Sequence, residues 1–354
     1  MRAIAIGVLA CAGLGRAQEP PKAAGPDRVD QAVGRAIQWL VSVQDKDGAI
    51  SDQHPNQTAM TSLSIMAMAA AGHQPTDDTP QGQAMKRALA FVLKPDRQEV
   101  QGYLGGKDGS RMYGHGIATL MLCEMLGMGV DAKMDQQIRD AAKKAVDMIL
   151  RSQSLQKEAR SAGGWRYVPD SKDSDLSITV WQVMALRSAR NAGLDVPKEA
   201  IDKAIDYIKR CYKSKRDGQG KPEDLKSACA YEPGQHPEYA MAAAGLLSLQ
   251  VCGAYDAPEV QGSADWLKER KAEYGSEWYF YGTYYYAQGM FQRGGDYALH
   301  ARKTVEGTLL PKQDAQGWWM GVHGQERGAG KVYCTSMAVL SLAVKYHYLP
   351  IYQR

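Results

Sequence analysis

The sequence predicts an all-α fold, an (α/α)6 toroid with an inner ring of six helices inside an outer ring of six. Three observations point there. A helix–loop–helix pattern recurs six times along the chain, in units of roughly 40 to 60 residues, and such periodicity marks a helical array. Within each unit the first helix carries charge on one face, while the second is apolar nearly all round and must be buried on every side. The last helix, with Ser336, Met337, Ala338, Val339, Leu340, Leu342 and Ala343, is strongly apolar. An open stack needs polar end caps, so closure of the ring is the expected arrangement.

The units follow in order. Arg35 to Gln44 starts an amphipathic helix, Asp45-Lys46-Asp47-Gly48 turns the chain, and a second helix runs from about Thr58 to Ala71 and stops at Gly72. Arg87 to Val92 leads through a Gly-rich loop to Ile117–Leu126. Lys144 to Ile149 leads through Gly163-Gly164-Trp165 to Ile178–Ala192. Lys203 to Ile208 leads to Glu238–Cys252. Ser263 to Leu267 leads to Trp278-Tyr279 and Gly282–Arg293. The sixth unit is degraded near Arg302 to Leu310, recovers at Gly317-Trp318-Trp319, and closes with Tyr333–Tyr346.

Composition narrows the function. The 354 residues carry 43 Lys+Arg and 39 Asp+Glu, a net charge of +4. That is too little for nucleic acid or an anionic membrane to be the main partner. No apolar run approaches the roughly 20 residues of a membrane-spanning helix. The aromatics are 19 Tyr and 7 Trp against 3 Phe, and polar-tipped rings suit a lined cavity better than a dry core.

Arg2, the apolar stretch Ala3–Leu14 and Gly15-Arg16-Ala17 read as a secretory signal cleaved after Ala17. Export to a periplasmic or extracellular space is therefore expected. A lipoprotein alternative uses Val8-Leu9-Ala10-Cys11. Residues 18–27 read as a flexible leader, and 28–354 as one toroid domain. Removal of Cys11 leaves Cys123, Cys211, Cys229, Cys252 and Cys334. An odd number leaves at least one free thiol, and a Cys211–Cys229 disulfide is possible.

Arg35-Ala36-x-x-Trp39-Leu40-x-x-x-Gln44-x-x-x-Gly48 resembles the Gln-Trp repeat motif of the squalene–hopene cyclase and protein prenyltransferase β-subunit superfamily, with Ile50 in place of the final aromatic. A looser copy runs from Lys144-Ala145 to Gly163-Gly164-Trp165. Trp278-Tyr279-Phe280-Tyr281-Gly282-Thr283 resembles the cyclases' Tyr-x-Tyr-Gly-Thr segment. The resemblance spans nearly the whole mature chain. It implies a toroid whose axial cavity holds an isoprenoid chain. Complete cyclases of that family are nearly twice as long and pair two such domains.

The resemblance also implies an acid. The cyclases carry Asp-x-Asp-Asp before the helix of Trp181; here Asp173-Ser174-Asp175-Leu176 keeps two of the three acids. Crowded carboxylates cannot all ionise, so one can stay protonated and serve as a general acid. Asp175 or Asp173 would fill that role, with Tyr281 as a polar partner. The competing role is capping of the next helix by Asp173, Asp175 or Ser177. The prenyltransferase variant needs zinc, but Ser177 stands at its cysteine position and Cys334 at its histidine position. A swapped site of Asp175, Cys334 and a water is conceivable, but no metal and no other cofactor is expected.

Aromatics recur where loops enter inner helices. Tyr113, Trp165, Tyr167, Trp181, Trp278, Tyr279, Trp318, Trp319 and Tyr333 are the expected cavity lining, and His115 joins them at the mouth. His236, His323, Arg111, Arg166 and Arg327 would complete a polar rim, while His54, His73, His300 and His347 form no metal-binding spacing. Three functions compete: a cyclase- or prenyltransferase-like enzyme on an apolar chain, a non-catalytic toroid binding a lipid, peptide or protein, and a polysaccharide-active enzyme using Asp173 or Asp175 with Glu238 or Glu277.

Overall fold

The computed structural model describes residues 25–52 and 55–352. The signal segment, Cys11, most of the leader and His54 lie outside them. Twelve α-helices make up the architecture of the described residues. The outer helices are α1 (Arg28–Ser42), α3 (Pro80–Val92), α5 (Ala132–Ser154), α7 (Lys198–Cys211), α9 (Pro258–Lys268) and α11 (Gly295–Leu309). The inner helices are α2 (Gln57–Ala70), α4 (Arg111–Glu124), α6 (Leu176–Asn191), α8 (Tyr239–Val251), α10 (Tyr279–Arg293) and α12 (Gly324–Leu342). Each inner helix packs on the next, and α12 packs on α2, which closes the ring.

Burial separates the two rings as their composition foretells. Every residue of α8 from Ala240 to Val251 is buried, whereas α7 buries only one face, including Ile201, Ala204 and Ile208. α4 starts at Arg111, earlier than the expected Ile117, and α12 starts at Gly324 with a break at Gly330.

One hydrogen-bond pattern recurs at three outer-helix ends. The side-chain amide of Gln44 donates to the carbonyls of Gly48 (3.0 Å) and Ala84 (2.9 Å). Gln153 donates to Gly163 and Ala200, both at 2.9 Å. Gln313 donates to Gly317 (2.9 Å) and Ala32 (2.8 Å), and so ties the last unit to the first. Gly48, Gly163 and Gly317 have φ of 99°, 88° and 103°, and a Cβ on any of them would collide with the next outer helix. The backbone N–H groups of Ile50, Trp165 and Trp319 each donate to one threonine hydroxyl, of Thr61, Thr179 and Thr335. Ile50 therefore occupies the place of the aromatic that the first motif lacks.

The five described cysteines carry free thiols. No helix among the described residues is long and apolar enough to cross a membrane.

Candidate functional site: the axial cup

The alternation of outer and inner helices makes all six inner helices parallel, so their N-termini share one end of the ring. Helix N-termini present unpaired N–H groups, and carboxylates meet most of them here. Asp108 accepts from Thr58 N (3.0 Å) and Ala59 N (3.3 Å) on α2. Glu326 accepts from Phe280 N (3.1 Å) and Tyr281 N (2.9 Å) on α10. Asp52 accepts from Lys331 N (2.5 Å) and Val332 N (3.3 Å), just past the break in α12. In all three the carboxylate comes from the next unit round the ring, Asp108 and Asp52 from its loop and Glu326 from the first turn of α12. Asp175 caps its own helix, α6, through Ile178 N (2.9 Å).

These N-termini surround a cavity of about 640 Å³. Its mouth is built by the first residues of the helices: Asn56, Arg111, Glu238 and Trp278. A rise of 1.5 Å per residue sets Met60, Ile117, Trp181, Met241 and Tyr281 deeper, and all five line it. Trp181 forms the floor. It stacks on Tyr284 (5.8 Å between centroids, 11° between planes) and meets Tyr281 and Tyr285 edge-on. The space is a cup, open at the N-terminal end and closed by aromatic packing below.

Three of the four mouth residues are strained. Asn56, Arg111 and Trp278 have φ of 74°, 55° and 59°. Left-handed backbone is rare for bulky residues and costs on the order of 1–3 kcal/mol, and it clusters at functional sites.

Of the residues expected to line the cavity, Tyr113, Tyr167, Trp181, Trp278 and Tyr333 do, and Tyr281, expected as the polar partner of the acid, joins them. His115, Trp165, Tyr279, Trp318 and Trp319 do not. His115, expected at the mouth, is fully buried between the rings, where it accepts from Leu104 N (3.3 Å) and bonds the Ala145 carbonyl (3.1 Å). Burial pushes its pKa down to about 4, so it is neutral. Trp165 and Trp319 donate to the carbonyls of Ile149 and Leu309 on their own outer helices. Tyr279 is buried against Tyr274 and Phe280, and Trp318 lies under Lys331 outside the cup. The cup also includes Asn56, Tyr231 and Gln325, which no motif or spacing singles out; only the loop-to-helix position hints at them.

The expected acids do not line the cup. Asp173 is exposed and pairs with Arg166 (3.3 Å). Asp175 is fully buried behind the wall. Its Oδ1 accepts from Ser177 Oγ (2.6 Å), and Oδ2 lies 3.4 Å from Arg166 Nε. Burial raises its pKa, opposed by Ser177, the Ile178 amide and Arg166. Ser177 Oγ in turn lies 2.5 Å from the hydroxyl of Tyr113. The Ser177 proton points at Asp175, so Tyr113 donates to Ser177. A chain of hydrogen bonds thus runs from a dry carboxylate to a tyrosine at the cup. Tyr281 donates to the Ser177 carbonyl (2.8 Å).

No group of three His, Cys, Asp or Glu side chains able to hold a metal is present among the described residues. Cys334 donates to the Glu326 carbonyl (3.6 Å), and burial pushes its thiol pKa far up, so the swapped zinc set is not assembled. His236 and His323 are exposed in loops, and Arg327 bonds the Val322 carbonyl. Glu238 is the single carboxylate that lines the cup, and Glu277 does not.

No protein-family model matches this sequence, and no curated protein does. Solved structures do. The type II terpene cyclase MstE from Scytonema is 16% identical, with a TM-score of 0.57 over 91% of this chain and 99% of that one. The GH76A α-1,6-mannanase from Salegentibacter sp. HEL1_6 is 9% identical, with a TM-score of 0.61 over 91% and 100%. Cellobiose 2-epimerase from Bacillus thermoamylovorans B4167 is 12% identical, with a TM-score of 0.63 over 90% and 99%. This chain therefore has the (α/α)6 toroid fold shared by a terpene cyclase and by sugar-active enzymes, and at such identities the likeness extends to the fold alone.

Proposed function

We propose that the axial cup binds one amphipathic small molecule of isoprenoid type, apolar part down and polar part at the mouth. One observation carries this: the cup is sealed below by Trp181 and walled by Met60, Ile117 and Met241, while its charges, Arg111 and Glu238, sit only at the rim. Concave apolar pockets with a few placed polar groups are the usual form of a small-molecule site. The similar cyclase MstE was solved with geranylgeranyl dihydroxybenzoate, a chain with a polar head.

Catalysis at the cup has its own support in the Asp175–Ser177–Tyr113 chain, which joins a carboxylate of raised pKa to the wall. Asp175 would then act through Tyr113, and an Asp175→Asn variant would lose turnover while keeping its fold and its ligand. Carbohydrate hydrolysis is less well supported. It uses two carboxylates flanking the bond, and Glu238 stands in the cup without a partner acid. The proposal also keeps the exported form, with a mature N-terminus at Gln18, which N-terminal sequencing of the secreted chain checks.

Trp181 and Trp278 line the cup, so tryptophan fluorescence reports its occupancy. Farnesol is expected to change that signal saturably, and α-1,6-mannotriose and cellobiose to leave it unchanged. Saturable binding of either sugar with no response to farnesol overturns the proposal in favour of a carbohydrate site.

A further inference from the structure

The hydrogen-bonding groups of the cup are unequally occupied. Tyr113 and Tyr281 direct their protons into the wall, at Ser177 Oγ and the Ser177 carbonyl. Tyr167 and Tyr231 bond each other at 2.5 Å. Ser110 Oγ donates to Asp108. Among the lining donors left without a partner, which include the Trp181 indole N–H, two are suited to an oxyanion at the mouth. Tyr333 lines the cup, is more than nine-tenths buried, and has a hydroxyl with no hydrogen-bond partner among the described residues. Arg111 lines the mouth with a guanidinium in no ion pair or hydrogen bond among them.

The two free charges of the mouth are not equivalent. Glu238 is the N-cap residue of α8. A carboxylate there is stabilised by the positive end of its own helix dipole. Arg111 is the first residue of α4, and a cation at a helix N-terminus is opposed by the dipole. Asp108, Glu326, Asp52 and Asp175 serve four other inner helices, while the first N–H groups of α4 meet backbone carbonyls and no carboxylate, Arg111 N that of Gly105 (2.6 Å) and Met112 N that of Tyr167 (3.0 Å). The mouth is therefore most electropositive around Arg111, where an arginine is held against both its backbone preference and its local field. Residues that break local rules in this way are expected where a ligand offsets the cost.

We infer that the molecule held in the cup is an anion-headed amphiphile, a carboxylate or phosphate on an apolar chain or ring, and that Arg111 is its head-group receptor with Tyr333 as a further donor. This rests on the amphiphile proposal above and adds the sign of the head. Guanidinium is suited to such oxyanions because it can donate two parallel charge-assisted hydrogen bonds.

The test titrates the full mature chain, by tryptophan fluorescence below micellar concentrations, with dodecanoate, dodecyl phosphate, 1-dodecanol and dodecylammonium. Dodecanoate or dodecyl phosphate, or both, are expected to bind about tenfold more tightly than 1-dodecanol. The stronger of the two identifies the oxyanion. Arg111→Gln should erase the preference while the far-UV circular dichroism stays unchanged. Arg111→Lys should keep part of it, and Tyr333→Phe should weaken the anions by about threefold. Equal binding of the anions and the alcohol, or an anion preference that survives in Arg111→Gln, overturns the inference and leaves the amphiphile proposal standing. A preference for dodecylammonium overturns it in favour of Glu238. Failure of all four probes to bind overturns both.

Discussion

The two ends of the inner ring are made from the same six helices and solve opposite problems. At the N-terminal end the orphan groups are N–H donors. Carboxylates from neighbouring units satisfy most of them, three mouth residues are strained, and a cup stays open. At the C-terminal end the orphans are carbonyls. The chain turns there through Gly72, Gly127, Gly193 and Gly253, all at positive φ, which is the usual way a helix ends. The last residues then close the axis. Ile351 N donates to Glu124 (3.1 Å), Ser188 bonds the same carboxyl group, and the Tyr352 and Tyr284 hydroxyls meet. One end is packed shut so that the other can be a pocket with a floor.

Trp181 is the boundary between the two, lining the cup above and stacking on Tyr284 below. It is 1% exposed. Trp181→Ala should destabilise the fold by about 3–5 kcal/mol, the usual cost of removing a large core ring. Urea unfolding measures that loss. A loss below about 1 kcal/mol would mean that the lower axis stands without its lid, and the contrast between the ends would lose its structural basis.

The sealed end also holds an acid. Burial pushes Glu124 up to about 7 from its ordinary 4.5, against the bonds from Ser188 and Ile351. A raised carboxyl pKa means that the native state binds a proton the unfolded state has released. The contribution is therefore full below pH 4.5 and is lost as pH rises through 7. Glu124→Gln removes this dependence, so its stability relative to the parent should climb between pH 4.5 and 7. The gain approaches roughly 3 kcal/mol at most, and it would be read from unfolding curves at pH 5 and pH 8. Glu326, at the open end, is also raised to about 7 by burial. The same experiment on Glu326→Gln should give a gain of similar size, because burial outweighs the backbone N–H groups that Glu326 accepts and leaves the same shift.

The ring was legible in the sequence because burial writes itself into composition. α2 and α8 are apolar on all faces, and their partners α1 and α7 are not. Helix starts were less legible. Gly114 and Gly116 make the first turns of α4 look like loop, yet they lie in the helix because a Cβ would strike Ser110 at one and Trp181 and Gln182 at the other. The Gln-Asp-x-x-Gly spacing of Gln44 recurs at Gln313, and it could have located the ring-closing bond to Ala32. The cup was half legible. Entry of a loop into an inner helix places an aromatic near the mouth but does not say which face it takes. His115 follows Tyr113 by two residues, about 200° round the helix, and so faces the outer ring. Glu326 and Asp108 carry no sequence signal, because each caps a helix of the preceding unit.

Arg111 sharpens the contrast at its smallest scale. At φ 55° it occupies backbone that glycine adopts freely, and its charge opposes the α4 dipole. Arg111→Gly relieves both and loses no ion pair. The added chain entropy of glycine in the unfolded state works against the gain. The balance should leave the variant more stable by about 1 kcal/mol in urea unfolding, although a charged surface residue has been deleted. The same substitution made at a sealed-end position such as Arg190, in the last turn of α6, should destabilise instead, because a cation there complements the dipole and the backbone is helical. Opposite signs for one chemical change at the two ends would mean that stability has been given up at the mouth and kept at the base. Equal signs would mean that Arg111 is held without cost, and its strained position would no longer set the open end apart from the sealed one.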